Sequence, residues 1–169
     1  MLIRLATLND IPQIMQLIAE VVPVMIASGN LQWDNNYPNY PNITVFTDDI
    51  DKDQLWVAEA EGQIVGVTAI TTDQEPEYAK VGWDITELAI VTHRLAVSPQ
   101  YRGLGIAATL LQQAEHEALR RNIKILRIDT NTINQATQKL FPKLGYIYVG
   151  EIDLSFRPGL RFYCYEKLL

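Results

Sequence analysis

The stretch Leu95-Ala96-Val97-Ser98-Pro99-Gln100-Tyr101-Arg102-Gly103-Leu104-Gly105-Ile106-Ala107-Ala108-Thr109-Leu110-Leu111 decides how this chain is read. Its first three residues suit a strand, its last six suit a helix, and proline, arginine and two glycines lie between. A strand that turns through glycine into a helix leaves several backbone N–H groups unpaired at the positive end of the helix dipole. That terminus suits an anion, and glycine lets phosphate oxygens reach the backbone without a Cβ in the way. Arg102 adds a charge-assisted donor beside it.

Two familiar phosphate loops fail on context. Gly103-x-Gly105-x-x-Ala108 fits the spacing of a dinucleotide fingerprint, and Asp129 follows about 20 residues on. In that motif, however, the first glycine comes directly off the strand, whereas Ser98 to Arg102 intervene here. The strands before the loop form a hairpin rather than parallel βαβ units, and too little chain follows for a doubly wound sheet. A P-loop is excluded because no Gly-Lys-Ser/Thr closes the turn.

Working outward, Leu2–Ala6 reads as a short strand. Asn9 or Asp10 then caps a helix with Pro12 in its first turn. Ile14, Leu17, Ile18, Val21 and Val22 fall on one apolar face, Pro23 is expected to kink or end the helix, and Ser28-Gly29-Asn30 closes it. Residues 31–42 form an aromatic loop with two prolines, followed by a short acidic helix around Val45–Asp53. Gln54–Ala60 and Gln63–Thr71 make a hairpin about Glu61-Gly62. Residues 73–84 read as loop and Thr86–Val97 as one long strand. Gly105–Arg121 is helical, Ile125–Thr130 a strand, and Asn134–Leu144 a helix ended by Gly145. Tyr146–Leu154 and Arg161–Lys167 are the last strands. The order β-α-α-β-β-β-α-β-α-β-β describes a mixed α/β sheet with helices on its faces, in one domain over 1–169.

A second block follows the glycine turn: Asn134-Gln-Ala136-Thr-Gln-Lys-Leu140-Phe141-Pro-Lys143-Leu144-Gly145-Tyr146. Together the two blocks resemble the GNAT superfamily of N-acetyltransferases. Arg102-x-x-Gly105-x-Ala107 matches its pyrophosphate loop after a Leu-Ala-Val-x-Pro strand end, and the Asn134 block matches its Asn-x-x-Ala-x-x-Leu-Tyr-x-Lys-Leu-Gly-Phe pattern. The resemblance implies a largely antiparallel sheet with a central parallel strand pair, helices on both faces, and acetyl-CoA as cosubstrate. It assigns the cofactor site to Leu95, Ala96, Val97, Arg102, Gly103, Leu104, Gly105, Ile106, Ala107, Asn134, Phe141 and Lys143. Leu95 and Val97 would pair with the pantetheine arm, residues 103–107 would hold the pyrophosphate, and the Leu95 N–H would polarise the thioester carbonyl. Asn134 would hydrogen-bond the pantetheine, or cap its helix, or both.

Acetylating an amine requires a base, because an alkylammonium must lose a proton before it attacks. His93, two residues before Leu95, shares its face by strand alternation unless a bulge intervenes. The segment His93-Arg94-Leu95-Ala96-Val97 is also similar to arylalkylamine acetyltransferases, in which a histidine here takes the proton through water. Glu87 is the second candidate, as base or ammonium anchor. Phe141 stands where the family often has a tyrosine acid, which leaves water, a tyrosine such as Tyr146, or no acid at all, since a thiol of pKa about 8–9 does not strictly require one. His116 reads as solvated and Cys164 as a buried strand residue.

Lys and Arg number 14 against 20 Asp and Glu, a net charge of −6 that disfavours a nucleic-acid partner. The charge is uneven. Residues 1–85 hold thirteen acids and three bases, and residues 86–169 hold seven and eleven. Together with Trp33 and Tyr37 in the aromatic loop, and Asp48, Asp49, Asp51 and Asp53, this points to a cationic amine acceptor, small molecule or peptide. One cysteine and two distant histidines offer no metal cluster. No apolar run is expected to span a membrane and no signal peptide opens the chain, so the expectation is a cytoplasmic protein, with a homodimer left open. The competing reading is a non-catalytic acyl-CoA-binding or sensing module.

Overall fold

Arg4 organises the start of the chain. The computed structural model describes residues 1–34 and 39–169, and its first strand, β1 (Leu2–Leu5), carries Arg4 against two carboxylates. The guanidinium holds Asp10 through both oxygens at 2.8 and 2.9 Å and reaches Glu59 at 2.9 Å. Asp10 therefore does not cap the long helix with its side chain, as its position suggested. It reaches back to the Thr7 N–H at 2.8 Å and closes a one-turn 3-10 segment over Leu8–Asp10. The hydrogen bond from Arg4 is the main cause holding the Asp10 carboxyl below the usual range.

Helix α1 runs Ile11–Ala27 with Pro12 in its first turn. Pro23 does not end it; the helix continues to Ala27 and a Ser28 cap. Burial of Val21 and Val22 offsets the one backbone bond that proline cannot make. Residues Leu8–Ala27 are in fact long and apolar enough, by length and composition, to cross a membrane, which corrects the expectation that no run is. In the fold the apolar face of α1 is spent on the core.

The chain divides into two compact units. The first comprises Met1–Ile70 and Thr92–Gln113. It holds β1, α1, α2 (Ile43–Asp51), β2 (Leu55–Ala60), β3 (Gln63–Thr71) as far as Ile70, the latter part of β4 (Ile90–Val97), and α3 (Ile106–Arg120) as far as Gln113. β1/β2 and β2/β3 pair antiparallel, and the β2/β3 turn uses Glu61 and Gly62, both with positive φ. Successive strand residues point to opposite faces. Val57 thus packs with Ile14, Leu17 and Phe46 of α1 and α2, while Ala58 packs with Ile106 and Leu110 of α3. Helices cover both faces of this part of the sheet.

The second unit comprises Thr71–Val91 and Ala114–Leu169. It holds β5 (Ile125–Asn131), α4 (Gln135–Lys143), β6 (Ile147–Asp153) and β7 (Arg161–Leu168). β7 pairs antiparallel with both β5 and β6. Residues 73–84 are more ordered than a loop: Pro76–Val81 is a 3-10 helix that sends Tyr78 into a core of Trp83, Val91, Ile152, Phe162 and Cys164. β4 begins at Ile90 rather than Thr86, because Asp84 folds the preceding residues into a turn. Its carboxylate accepts from the Thr86 N–H at 2.9 Å and hydroxyl at 2.6 Å. β4 and β5 pair in parallel at Ile90↔Leu126 and Val91↔Arg127, across the α3 crossover. Among the described residues the strand order is β1-β2-β3-β4-β5-β7-β6, a mixed sheet that contains the parallel pair β4/β5.

Candidate active site

The glycine turn has the backbone its sequence implies. Ser98 donates its N–H to Val65 C=O at 2.8 Å and opens a short 3-10 turn over Pro99–Tyr101. Arg102 is extended, and Gly103 and Gly105 follow at φ 78° and 80°. That left-handed region penalises any Cβ. A Cβ built on either glycine would meet nothing within 4 Å. The space a side chain would fill is therefore open, and Arg102 to Gly105 all face solvent. Ile106, buried with Ala58, Val65 and Leu110, anchors the first turn of α3 from beneath. Gly105 C=O accepts from both the N–H and the hydroxyl of Thr109, at 3.0 and 2.9 Å. The first N–H groups of the helix have no intrahelical acceptor, so an anion of phosphate size fits this cradle.

Upstream, Leu95 and Val97 lie against the α3 cluster while Ala96 is buried toward α1. The alternation expected to run back to His93 is interrupted, because Arg94 has φ 55°. A residue there bends a strand and breaks its regular two-residue period. His93 is half-buried, and its carbonyl accepts from the Thr68 hydroxyl at 3.1 Å.

Arg94 itself meets a carboxylate that composition could not distinguish from its neighbours. Its Nε and Nη2 hold Asp49 at 2.7 and 2.8 Å, and Nη1 donates to the Tyr40 hydroxyl at 2.9 Å. Gln54 donates to the same carboxylate at 2.8 Å. Asp49 is buried, whereas Asp48, Asp51 and Asp53 are exposed. Burial works against the Arg94 charge, and Tyr40 and Asp49 together more than offset it, so its pKa ends above the ordinary value. Asp49 is thus taken out of the set of aspartates expected to steer a cation. Trp33, expected to wall an acceptor pocket, is 4% exposed and packs in the α1–α2 core. Tyr37 lies outside the described residues.

Glu87, Asn134, Phe141 and Lys143 belong to the second unit. The Glu87 side chain is half exposed, 3.9 Å from the buried Arg127. Arg127 is itself held by Glu166 at 3.0 Å and Gln74 at 2.6 Å and stacks on Trp83. Asn134 caps α4, its side-chain oxygen accepting from the Thr137 N–H at 3.2 Å. Phe141 is buried against Tyr146 and edge-on to Tyr165. Burial pushes the Tyr146 phenol up, which keeps it protonated and makes it a poorer acid. Lys143 is exposed in the last turn of α4, and His116 is exposed on α3. Cys164 is fully buried and its thiol is pushed up by that burial.

A mixed sheet containing the parallel pair β4/β5, with a strand end that runs through an arginine–glycine turn into a helix, is an arrangement shared with solved acetyltransferases of the GNAT family. The Acetyltransferase (GNAT) family matches residues 25–146, and the chain belongs to it. A solved GNAT-family acetyltransferase from Streptococcus agalactiae 2603 is 32% identical, with a TM-score of 0.85 over 99% of this chain and 95% of that one. The N-acetylaspartate synthetase of Xenopus tropicalis is 29% identical over 114 residues, 68% of this chain and 38% of that protein. The N-acetyltransferase 8B of Mus musculus is also 29% identical over 114 residues, covering 68% of this chain and 46% of that protein. The chain thus spans less than half the length of these two curated relatives.

Proposed function

We propose that this chain is an acyl-CoA-dependent N-acyltransferase that moves acetyl from acetyl-CoA to a primary amine by direct attack. The observation that carries the reading is the open cradle at Gly103 and Gly105, backed by Arg102 and the start of α3. Family membership supplies the general chemistry. Acetyl-CoA, when bound, supplies an electrophilic thioester carbonyl. The backbone N–H groups of residues 103–107 and the Arg102 guanidinium hold the pyrophosphate. The Leu95 N–H donates to the carbonyl oxygen as negative charge develops there. His93 takes the proton from the ammonium, directly or through water, so that a neutral amine attacks. The new C–N bond replaces C–S, and the thiolate leaves. A thiol of pKa about 8–9 departs without a dedicated acid, which accords with the buried Phe141.

The acceptor is an amine-bearing small molecule or peptide. Asp48, Asp51 and Asp53 favour a cationic one. The name of one relative, the N-acetylaspartate synthetase, favours instead an anionic amino acid, aspartate, as a second reading. Thiol release measured with acetyl-CoA over polyamines, arylalkylamines, aspartate and peptides with free N-termini tests the proposal. Turnover with any of them supports it. Micromolar acetyl-CoA binding without thiol release across the panel replaces it with the non-catalytic acyl-CoA-binding reading.

A further inference from the structure

We propose that Arg94 is a positioning residue: the Asp49–Arg94–Tyr40 clamp holds the left-handed break in β4 that aims the Leu95 N–H and sets His93. This deepens the acetyltransferase reading and rests on it. Residue 94 stands between the proposed base and the proposed carbonyl donor, and it is the one residue of β4 with positive φ. An L-residue with a long side chain is disfavoured there, and persists only where its surroundings over-determine it. The fork of Arg94 is bidentate on Asp49, with side-chain exposures of 12% and 4%. Asp49 is fixed in turn by Gln54, whose side chain donates to its carboxylate and whose N–H donates to its carbonyl at 3.0 Å. α2 itself is capped by Asn42, which accepts from the Val45 N–H at 3.0 Å, and is seated by buried Phe46.

The strand is pinned on both sides of the break. Thr68 holds the His93 carbonyl, and Val65 C=O holds the Ser98 N–H. With both flanks fixed, the left-handed backbone of residue 94, its φ and ψ together, sets the plane of the peptide that carries the Leu95 N–H. A relaxed, extended residue 94 turns that N–H away. A buried ion pair is no efficient source of stability compared with packed apolar side chains. Its bidentate geometry does, however, dictate direction, which apolar packing does not.

Glycine separates a positioning role from a packing one, because it adopts φ above zero unaided. Two double variants are compared, Asp49→Asn with Arg94→Leu and Asp49→Asn with Arg94→Gly. Neither leaves a buried unpaired charge, and both lose the clamp. The leucine double is expected to lose kcat by about a hundredfold, the scale of one lost carbonyl donor. Its acetyl-CoA affinity by calorimetry should stay within about threefold, because the phosphate cradle is untouched. The glycine double is expected to recover at least about tenfold in kcat over the leucine double, although it packs less. Equal kcat in the two doubles, or a loss confined to KM, overturns the proposal. If the wild-type chain binds acetyl-CoA but turns over no amine, the transferase reading fails separately. The clamp is then judged on the backbone amide resonance of Leu95. An acetyl-CoA-induced shift kept in the glycine double and lost in the leucine double supports it, and a shift unchanged in both overturns it.

Discussion

A Cβ built on Gly66 would stand 2.9 Å from Cγ2 of Ile106 and 3.1 Å from Cδ1 of Leu110. The bare backbone of β3 is what allows the first turn of α3 to seat against the sheet, and that turn carries the anion cradle. Gly66→Ala is expected to destabilise the protein by about 1–3 kcal/mol, as overpacking does. It should also weaken acetyl-CoA binding, since Ile106 must shift and Gly105 moves with it. Thermal unfolding and calorimetry on the same preparation check both. Lower stability with unchanged affinity would show that α3 yields elsewhere.

Gly105→Val tests the cradle directly. Valine at φ 80° is strained, and its side chain would occupy the open space proposed for phosphate oxygens. Acetyl-CoA binding should be lost while far-UV circular dichroism stays that of the wild type. Unchanged affinity removes the phosphate assignment.

His93→Gln is expected to lower kcat about a hundredfold or more and to leave acetyl-CoA affinity nearly unchanged. The acidic limb of the kcat profile should vanish, because that limb reflects the protonated imidazole failing as a base. Near wild-type turnover at every pH would direct attention to bulk water, since Glu87 sits half exposed beside Arg127.

Acid should weaken the first unit through Asp10. Its carboxyl is held below the usual range chiefly by the hydrogen bond from Arg4, so the folded state favours the charged form. The stability this contributes is complete above the unfolded pKa of about 4 and is lost as pH falls through the lower folded value. Asp10→Asn should lower Tm at pH 7 and flatten the decline of Tm on acidification. Parallel Tm profiles for the two proteins would show the pair to be energetically silent.

Trp33→Ala is expected to act on stability, at about 3–5 kcal/mol for a large buried aromatic, rather than on the acceptor KM. Chemical denaturation and acceptor kinetics distinguish the two effects. A raised KM with an unchanged denaturation midpoint would return Trp33 to the acceptor site.

Much of the fold was legible because its signals are local. The glycine turn, the Asn134 cap and the Glu61-Gly62 hairpin each follow from what one or two residues do to their own backbone. The apolar face of α1 follows from helical spacing alone. What escaped was long-range. Asp49 looks like its three acidic neighbours until Arg94, 45 positions later, is folded onto it. The same pairing explains the positive φ that breaks the alternation from His93 to Leu95, which period-two reasoning carries straight through. Pro76–Val81 reads as loop because much of its reason for order, the seat for Tyr78, is built from Ile152, Leu154, Phe162 and Cys164, far along the chain. Trp33 sat among prolines and asparagines that suggest a surface loop, and only the packing shows where the indole goes.

The burial of Cys164 makes the chain its own reporter. It is the one thiol in the sequence, fully enclosed and disfavoured as a thiolate. A chromogenic disulfide reagent mixed with the folded protein therefore meets no reactive sulfur until coenzyme A is released, so colour counts catalytic events. In a slower experiment without acetyl-CoA, the same reagent can react only with molecules whose β7 strand has opened. The labelling rate then measures how often this part of the sheet comes apart.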